Sequence, residues 1–238
     1  MKLVIYSDDE KARSPIVKSS IKYGFDLHVA TGNYRWYKDL ETRTKETLKV
    51  LESFDPEELV VVTDGHDVFV NNTADKFKEA YRKYYDGKIV FQSEHQNWPD
   101  PRLEKACLEK FTDPNGYSFL CFGLHVGTAS QLVELYRKGL WIGHVDDELK
   151  QINPHLRWSF DDQLFSVVQY LQRDDIVIDG DCHLCQSMQG PALQSGDVAF
   201  TPDCIVNITK KTRPVFIHGH GNVQIKEIYD SVVKRYGY

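Results

Sequence analysis

Apolar positions along the chain come in two rhythms. Short apolar runs read as strands: Lys2–Tyr6 and Leu59–Thr63 of the buried type, and Pro214–Ile217 as the last strand. Between them, apolar residues recur at helical spacing. Ile16, Val17, Ile21 and Tyr23 predict a first helix that Gly24 ends, and Asp26–Ala30 reads as a second strand. The spacing predicts further helices over Thr42–Phe54, Ala74–Tyr85, Ser130–Lys138 and Asp161–Leu171, with strands over Lys88–Ser93, Ser118–Gly127 and Asp175–Asp179. Val68-Phe69-Val70 is a further apolar patch. Glu94–Gly116, with three prolines, reads as loop around a short helix, and Gly190–Arg213 as loop-rich. Strand, helix and strand alternate without internal repeat or linker. This predicts one α/β domain over residues 1–238, with a mixed, mostly parallel central sheet flanked by helices, Rossmann-like in outline.

Composition narrows the function classes. The 238 residues carry 29 Lys+Arg and 35 Asp+Glu, a net charge of −6, which disfavours a general polyanion binder. Local basic stretches such as Lys210–Arg213 leave a local nucleic-acid contact open. Aromatic residues make up 12 %, enough to fill a core. No run of about 18 apolar residues occurs, so no membrane span and no membrane partner are expected. The start turns polar at Ser7-Asp8-Asp9-Glu10, too early for a secretory signal, which predicts a cytoplasmic protein with its five cysteines reduced. In that setting the Asn-x-Thr triplets at Asn71 and Asn207 carry no meaning. Cys182-His183-Leu184-Cys185 lacks a second cysteine pair and is a weak metal candidate. Gly-x-Ser-x-Gly, a phosphate-binding P-loop and the dinucleotide fingerprint are all missing.

Four segments carry candidate chemistry. In Val61-Val62-Thr63-Asp64-Gly65-His66-Asp67, two acids follow the end of a buried strand, where open α/β sheets bind ligands. So placed, Asp64 and Asp67 can hold a hard divalent cation that clamps a diphosphate; the bland alternative is an Asp-Gly turn. Ile217-His218-Gly219-His220-Gly221 lies at another strand end. His218 can complete an oxygen-rich site that prefers Mn²⁺ over Mg²⁺, and Gly219 and Gly221 let backbone approach phosphate; otherwise it is simply a loop. Asp161 and Asp162 precede an apolar helix and suit its N-terminus, a place compatible with facing a substrate hydroxyl. Trp98, between Asn97 and Pro99, could cover a sugar or a base, or pack in the core.

Val61–Val68, Trp98-Pro99-Asp100-Pro101-Arg102-Leu103, Asp161-Asp162-Gln163-Leu164-Phe165 and Pro214–Gly221 occur in this order, and together resemble the glycosyltransferase domain of the procollagen lysyl hydroxylases and related collagen-type glucosyl/galactosyltransferases. The resemblance spans Leu3 to about Tyr229. It implies a GT-A fold, a bound Mn²⁺ (or Mg²⁺) and a UDP-sugar donor. By that match Asp64, Asp67 and His218 are the metal ligands, and Tyr6-Ser7 lies under the nucleotide. His66 takes the place of an aromatic near the uridine, and Lys45 matches a basic residue near the donor phosphates. Trp98 covers the donor sugar, and Asp161 and Asp162 face sugar and acceptor. Two departures stand out: Cys121-Phe122-Gly123 where the family carries Asn-Ser-Gly, and Gln224 where it has a Lys.

The expected activity is therefore metal-dependent transfer of a sugar to a macromolecular hydroxyl. The acceptor would be hydroxylysine or galactosyl-hydroxylysine of a collagen-like protein, or a hydroxymethylated pyrimidine in DNA. Two other classes fit the same residues: a non-catalytic nucleotide-sugar or glycan-binding module, and a metal-dependent phosphohydrolase using Asp64, Asp67, Asp161 and His218.

Overall fold

The strands expected from unbroken apolar runs form the centre of a computed structural model of the protein, which describes residues 1–7, 14–31, 39–188, 196–201, 204–220 and 225–236, the last six as backbone. Six strands make the main sheet: β1 (Lys2–Tyr6), β2 (Asp26–Ala30), β3 (Leu59–Asp64), β5 (Ile89–Glu94), β6 (Phe119–Thr128) and β7 (Ile176–Asp179). Their order is β2-β1-β3-β6-β5-β7. Every neighbouring pair is parallel except those of β6, which runs against both β3 and β5. This is the mixed, mostly parallel sheet that the alternation predicts.

The unbroken apolar runs have a direct cause. Successive strand residues point to opposite faces, and here both faces are covered. Leu3, Ile5 and Val61 pack with Ile16 of α1 (Ser14–Lys22) and Phe77 of α3 (Ala74–Tyr85). Val4, Val60 and Val62 pack on the other face with Leu51 of α2 (Leu40–Leu51), Leu132 of α5 (Ala129–Ile142) and Phe165 of α7 (Asp162–Gln172). Local signals set the helix starts. Thr128 and Gln131 form a reciprocal capping box for α5, and Asp161 accepts from Leu164 N at the start of α7. Gly139 lies inside α5, three residues before its end, where a Cβ would press within 2.7 Å of the Phe165 ring. The glycine makes room for a close helix–helix contact.

A second sheet is smaller. β4 (Val68–Val70), β8 (Cys185–Ser187) and β11 (Phe216–His218) pair in the order β4-β11-β8. With three residues each, two of these strands offer little periodicity to read, and β8 is not expected from the sequence. The loop-rich tail contains a two-stranded ribbon, β9 (Val198–Phe200) with β10 (Ile205–Asn207). Two helices, α6 (Asp147–Ile152) and α8 (Ile225–Tyr236), also go beyond the expectation, as does the length of α5. The segment expected to be loop around a short helix carries a 3₁₀ turn, Pro101–Leu103, and α4 (Glu104–Lys110). Both glycosylation-type asparagines are buried structural residues. Asn71 donates to Ile205 O and Pro214 O, and Asn207 donates to Gln186.

Phe165 is fully buried and meets Phe122, Tyr136 and Phe160 at ring distances of 5.4, 5.9 and 6.1 Å. Phe165→Ala is expected to cost about 3–5 kcal/mol, read as a lower urea midpoint at unchanged slope.

Candidate active site

The site forms where the two sheets meet. Asp64 is the last residue of β3, and Gly65 N donates to Tyr6 O across the strand ends (3.1 Å). A Cβ at Gly65 would come within 2.6 Å of that carbonyl, so glycine is what lets the acidic loop lie against β1. Asp67 then leads into β4. The antiparallel pairing of β4 with β11 sets His218 opposite Val68, and Gly219 N donates to Asp67 O (2.8 Å). The result is that His218 Nε2 lies 3.5 Å from Asp64 Oδ2 and 3.5 Å from Asp67 Oδ1. Residues 154 positions apart in the chain meet through strand register.

Behind His218 the packing is equally specific. Its Nδ1 lies 2.9 Å from Gln92 Oε1, which has no hydrogen to give, so Nδ1 carries the proton and donates. Its ring crosses β6 at Gly123, where any Cβ would overlap it. The register of β5 on β6 slips at this point, from Phe91 opposite His125 to Gln92 opposite Cys121. The Gln163 carboxamide fills the bulge, accepting from Phe122 N (3.1 Å) and donating to Leu120 O (2.9 Å) and Glu94 Oε1 (2.7 Å).

The carboxylates and the imidazole reshape one another. Burial alone would push the Asp67 carboxyl up, but the adjacent His218 holds it below the usual carboxylate range. Burial disfavours charge on His218, yet Asp67 and Asp64 raise its pKa well above the ordinary imidazole value. Asp64 Oδ1, Asp67 Oδ1 and His218 Nε2 are nonetheless buried atoms without a hydrogen-bond partner. Native interiors rarely leave such atoms unmatched. One nitrogen and two carboxylate oxygens, all within 4.8 Å, fit a hard or borderline divalent cation such as Mn²⁺.

An open cleft of about 380 Å³ spreads from this point, between the strand ends and the start of α7. Its floor holds Arg43, 5 % exposed, whose guanidinium pairs with Asp162, lies 4.0 Å from Asp64 Oδ1 and covers the Tyr6 ring at 4.2 Å. Asp161 is committed elsewhere, accepting from Leu164 N (2.9 Å) and Trp158 Nε1 (3.0 Å). Burial raises its carboxyl against those bonds. Trp98 and Trp158 line the cleft with ring centres 6.5 Å apart. Ser7, just past β1, is buried, and its hydroxyl meets His66 Nε2 at 3.0 Å beside the acidic loop.

Asp64, Asp67, His218, Tyr6, Ser7, His66, Gly219, Trp98, Asp161 and Asp162 therefore gather at the mouth of β1 and β3 and around the cleft. Gly221 falls outside the described residues. Lys45 does not join them. It lies on the outer face of α2, exposed, and pairs with Glu41 at 2.6 Å. Two residues along a helix turn the side chain by about 200°, so the cation that α2 sends inward is Arg43. Its signal was present in the sequence: Leu40, Arg43, Thr47 and Leu51 share one face. Glu94, Gln92 and Gln163 were likewise not singled out. Cys182 and Cys185 are free buried thiols and belong to neither of the metal-type clusters among the described residues.

The model of the PLOD GT domain matches residues 16–231. The chain belongs to this family. It is thus a glycosyltransferase domain of the GT-A type, as its sheet and helix layers also indicate. It is 29 % identical over 180 residues to an uncharacterized protein of Acanthamoeba polyphaga mimivirus, covering 75 % of this chain and 35 % of that protein. It is 25 % identical over 178 residues to procollagen-lysine,2-oxoglutarate 5-dioxygenase of Drosophila melanogaster, covering 70 % of this chain and 22 % of that one. The chain spans about a third or less of the length of these relatives. A solved glycosyltransferase involved in the glycosylation of the major capsid of PBCV-1 shares the fold over 98 % of both chains, with a TM-score of 0.56 at 8 % identity. No helix among the described residues of this PLOD GT domain is long and apolar enough to cross a membrane.

Two predictions follow from the charges. Arg43→Met strands Asp162 and Asp64 without their buried partner and is expected to cost about 3 kcal/mol or more in urea unfolding; adding Asp162→Asn should recover part of that loss. Burial pushes the Glu94 carboxyl up to about 8, against the pull of Gln163 and His218. Between its ordinary value of 4.5 and about 8 the folded state holds a proton that the unfolded chain has released, so this group's contribution to stability falls as pH rises through that window. Metal-free Glu94→Gln should therefore lose less melting temperature than the parent between about pH 5 and pH 8.5.

Proposed function

We propose that this domain transfers a sugar from a UDP-sugar to a hydroxyl of a macromolecule, with Mn²⁺ held by Asp64, Asp67 and His218. The observation that carries this reading is the convergence of three buried, unpartnered ligand atoms at a strand end that opens into a sugar-sized cleft. When bound, the ion supplies Lewis-acid neutralisation of the charge that develops on the leaving diphosphate. The chain's own residues do the rest. Gln92 holds the proton on His218 Nδ1, which directs the Nε2 lone pair toward the two acids. Gly65 keeps a side chain out of the way where the acidic loop lies against β1, and Gly219 N donates to Asp67 O. Tyr6 and the Ser7–His66 pair support the nucleotide end.

The two adjacent acids separate in role. Both oxygens of Asp161 are engaged, so it positions Trp158 and caps α7. Asp162, at the cleft beside Arg43, is the acid that orients a sugar hydroxyl or assists the acceptor. The indole rings of Trp98 and Trp158 offer apolar walls to a sugar ring, and Glu94, Gln96 and Asn97 offer polar contacts to its hydroxyls.

For the acceptor, the net charge of −6 favours a protein over DNA, whose binding needs cations against phosphates. The name of the Drosophila relative, a procollagen-lysine dioxygenase, points to hydroxylysine as the hydroxyl.

UDP release from a panel of UDP-sugars, with and without Mn²⁺, tests the reading. Release should depend on Mn²⁺ and rise when a hydroxylysine peptide is added, and Asp67→Asn should lower it by about a hundredfold or more. Mn²⁺-stimulated release that is unchanged in Asp67→Asn would sink the site. Stimulation by hydroxymethylated DNA instead of peptide would move the acceptor. Phosphate release from simple esters, with no sugar transfer, would replace the transferase by a phosphohydrolase.

A further inference from the structure

On the other side of the His218 ring a second set of donor atoms comes together, and its chemistry differs from the first. Cys121 Sγ lies 3.9 Å from His218 Nδ1. Cys121, His218 and His220 bring ligand atoms within 4.8 Å of one another. Glu94 adds a carboxylate oxygen 3.4 Å from His220 Nε2. Cys121, Glu94 and His218 are at most 5 % exposed, and all four residues border the cleft, so an ion can reach them.

Three donors, Cys121, His218 and His220, are already gathered closely enough to share an ion, and Glu94 stands beside His220 as a fourth that closes on it. Bonds of about 2.3 Å to a thiolate and about 2.0–2.2 Å to imidazole or carboxylate, arranged tetrahedrally, set neighbouring ligand atoms roughly 3.4–3.7 Å apart. The 3.9 Å and 3.4 Å separations lie close to that range. Donor type separates the two sets. Two carboxylates and one imidazole suit a hard or borderline cation, whereas a thiolate with two imidazoles suits Zn²⁺ and similar softer ions. In the absence of an ion the groups are held by hydrogen bonds: His220 Nε2 meets Ser187 Oγ at 3.0 Å, and His218 Nδ1 donates to Gln92.

We propose that Cys121, His218 and His220, with Glu94 as fourth ligand, form a soft-metal site that takes Zn²⁺ and excludes the ion held by Asp64, Asp67 and His218. His218 is common to both sets, and moving it toward Cys121 breaks the Gln92 hydrogen bond that aims Nε2 at the acids. Zn²⁺ binding here is therefore inhibitory. As the bonds to the metal form, the Cys121 thiol, His218 Nδ1 and, where it is protonated, the Glu94 carboxyl give their protons to solvent, and nothing is oxidised or reduced. The inhibitory consequence rests on the function proposed above; the binding itself does not.

Co²⁺ serves as the spectroscopic probe on the full chain, without Mn²⁺. Wild type should develop a thiolate-to-cobalt charge-transfer band that Zn²⁺ abolishes. Asp67→Asn should keep the band and Cys121→Ser should lose it. His220→Asn retains every thiol and checks the same site should Cys121→Ser fail to fold; it should weaken Co²⁺ binding by about tenfold or more. No band in wild type, a band that survives Cys121→Ser, or one lost in Asp67→Asn overturns the site. In the activity assay, Zn²⁺ should stop Mn²⁺-dependent UDP release at concentrations about tenfold lower for wild type than for Cys121→Ser, each against its own Zn²⁺-free rate. Equal sensitivity overturns the exclusion. If no UDP is released at all, the cobalt spectrum still decides the site.

Discussion

Everything at the working end of this domain depends on one imidazole ring being held between two sheets. His218 belongs to the small sheet, yet its ring rests on β6 of the large one, in space that exists only because residue 123 has no side chain. The β6 bulge, the Gln163 amide that mends it and the Gln92 oxygen behind Nδ1 serve the same placement. Strand pairing then aligns β11 with β4, and the first residue before β4 is Asp67. Register is an all-or-none property, since a slip of one residue would turn His218 to the opposite face. The geometry of the acids is thus inherited from the backbone and does not depend on how side chains settle.

The arrangement carries an electrostatic cost. Asp64, Asp67, Asp162 and Glu94 are gathered in a partly dry cleft against one guanidinium and two imidazoles. Burying charges this way seldom stabilises a fold relative to apolar packing. The compensation is uneven. Asp162 is matched by Arg43, and Asp161 by an indole and a backbone amide, whereas Asp64 and Asp67 each keep an oxygen with no hydrogen bond. Oxygens without a hydrogen bond are concentrated beside the His218 ring, and the remaining acids are satisfied by protein. Glu94 takes a third course and keeps its proton to about pH 8.

Most of the large sheet could be read along the chain because its strands are buried on both faces, which writes them as runs of Val, Ile and Leu. Asp64 was legible for the same reason: an acid directly after such a run sits at a strand end. Arg43 was not, because its meaning lies in the helical face it shares with Leu40, Thr47 and Leu51, and Lys45 nearby has equal charge. The small sheet was harder still. Cys185–Ser187 is three residues long and mixed in character, and only its pairing with Phe216–His218 makes it a strand. Gln92 and Gln163 carry no chemical signal in sequence, since a carboxamide acquires a role only from the backbone groups it faces.

The contrast between fold and site also shows where this chain is free to differ. An 8 % identical glycosyltransferase keeps the same fold over nearly its whole length, so these layers can be built from very different residues. The placement of Asp64, Asp67 and His218 rests on narrower conditions: glycine at 65 and 123, the β4–β11 register and the Gln92 hydrogen bond. Change is admitted beside the ligands. Cys121 on β6 places its sulfur 3.9 Å from His218 Nδ1, the ring nitrogen that faces away from Asp64 and Asp67. One histidine then faces oxygen donors on one edge and sulfur on the other. Which edge it serves is decided by the hydrogen bond from Nδ1 to Gln92, and therefore by a residue that touches neither ion.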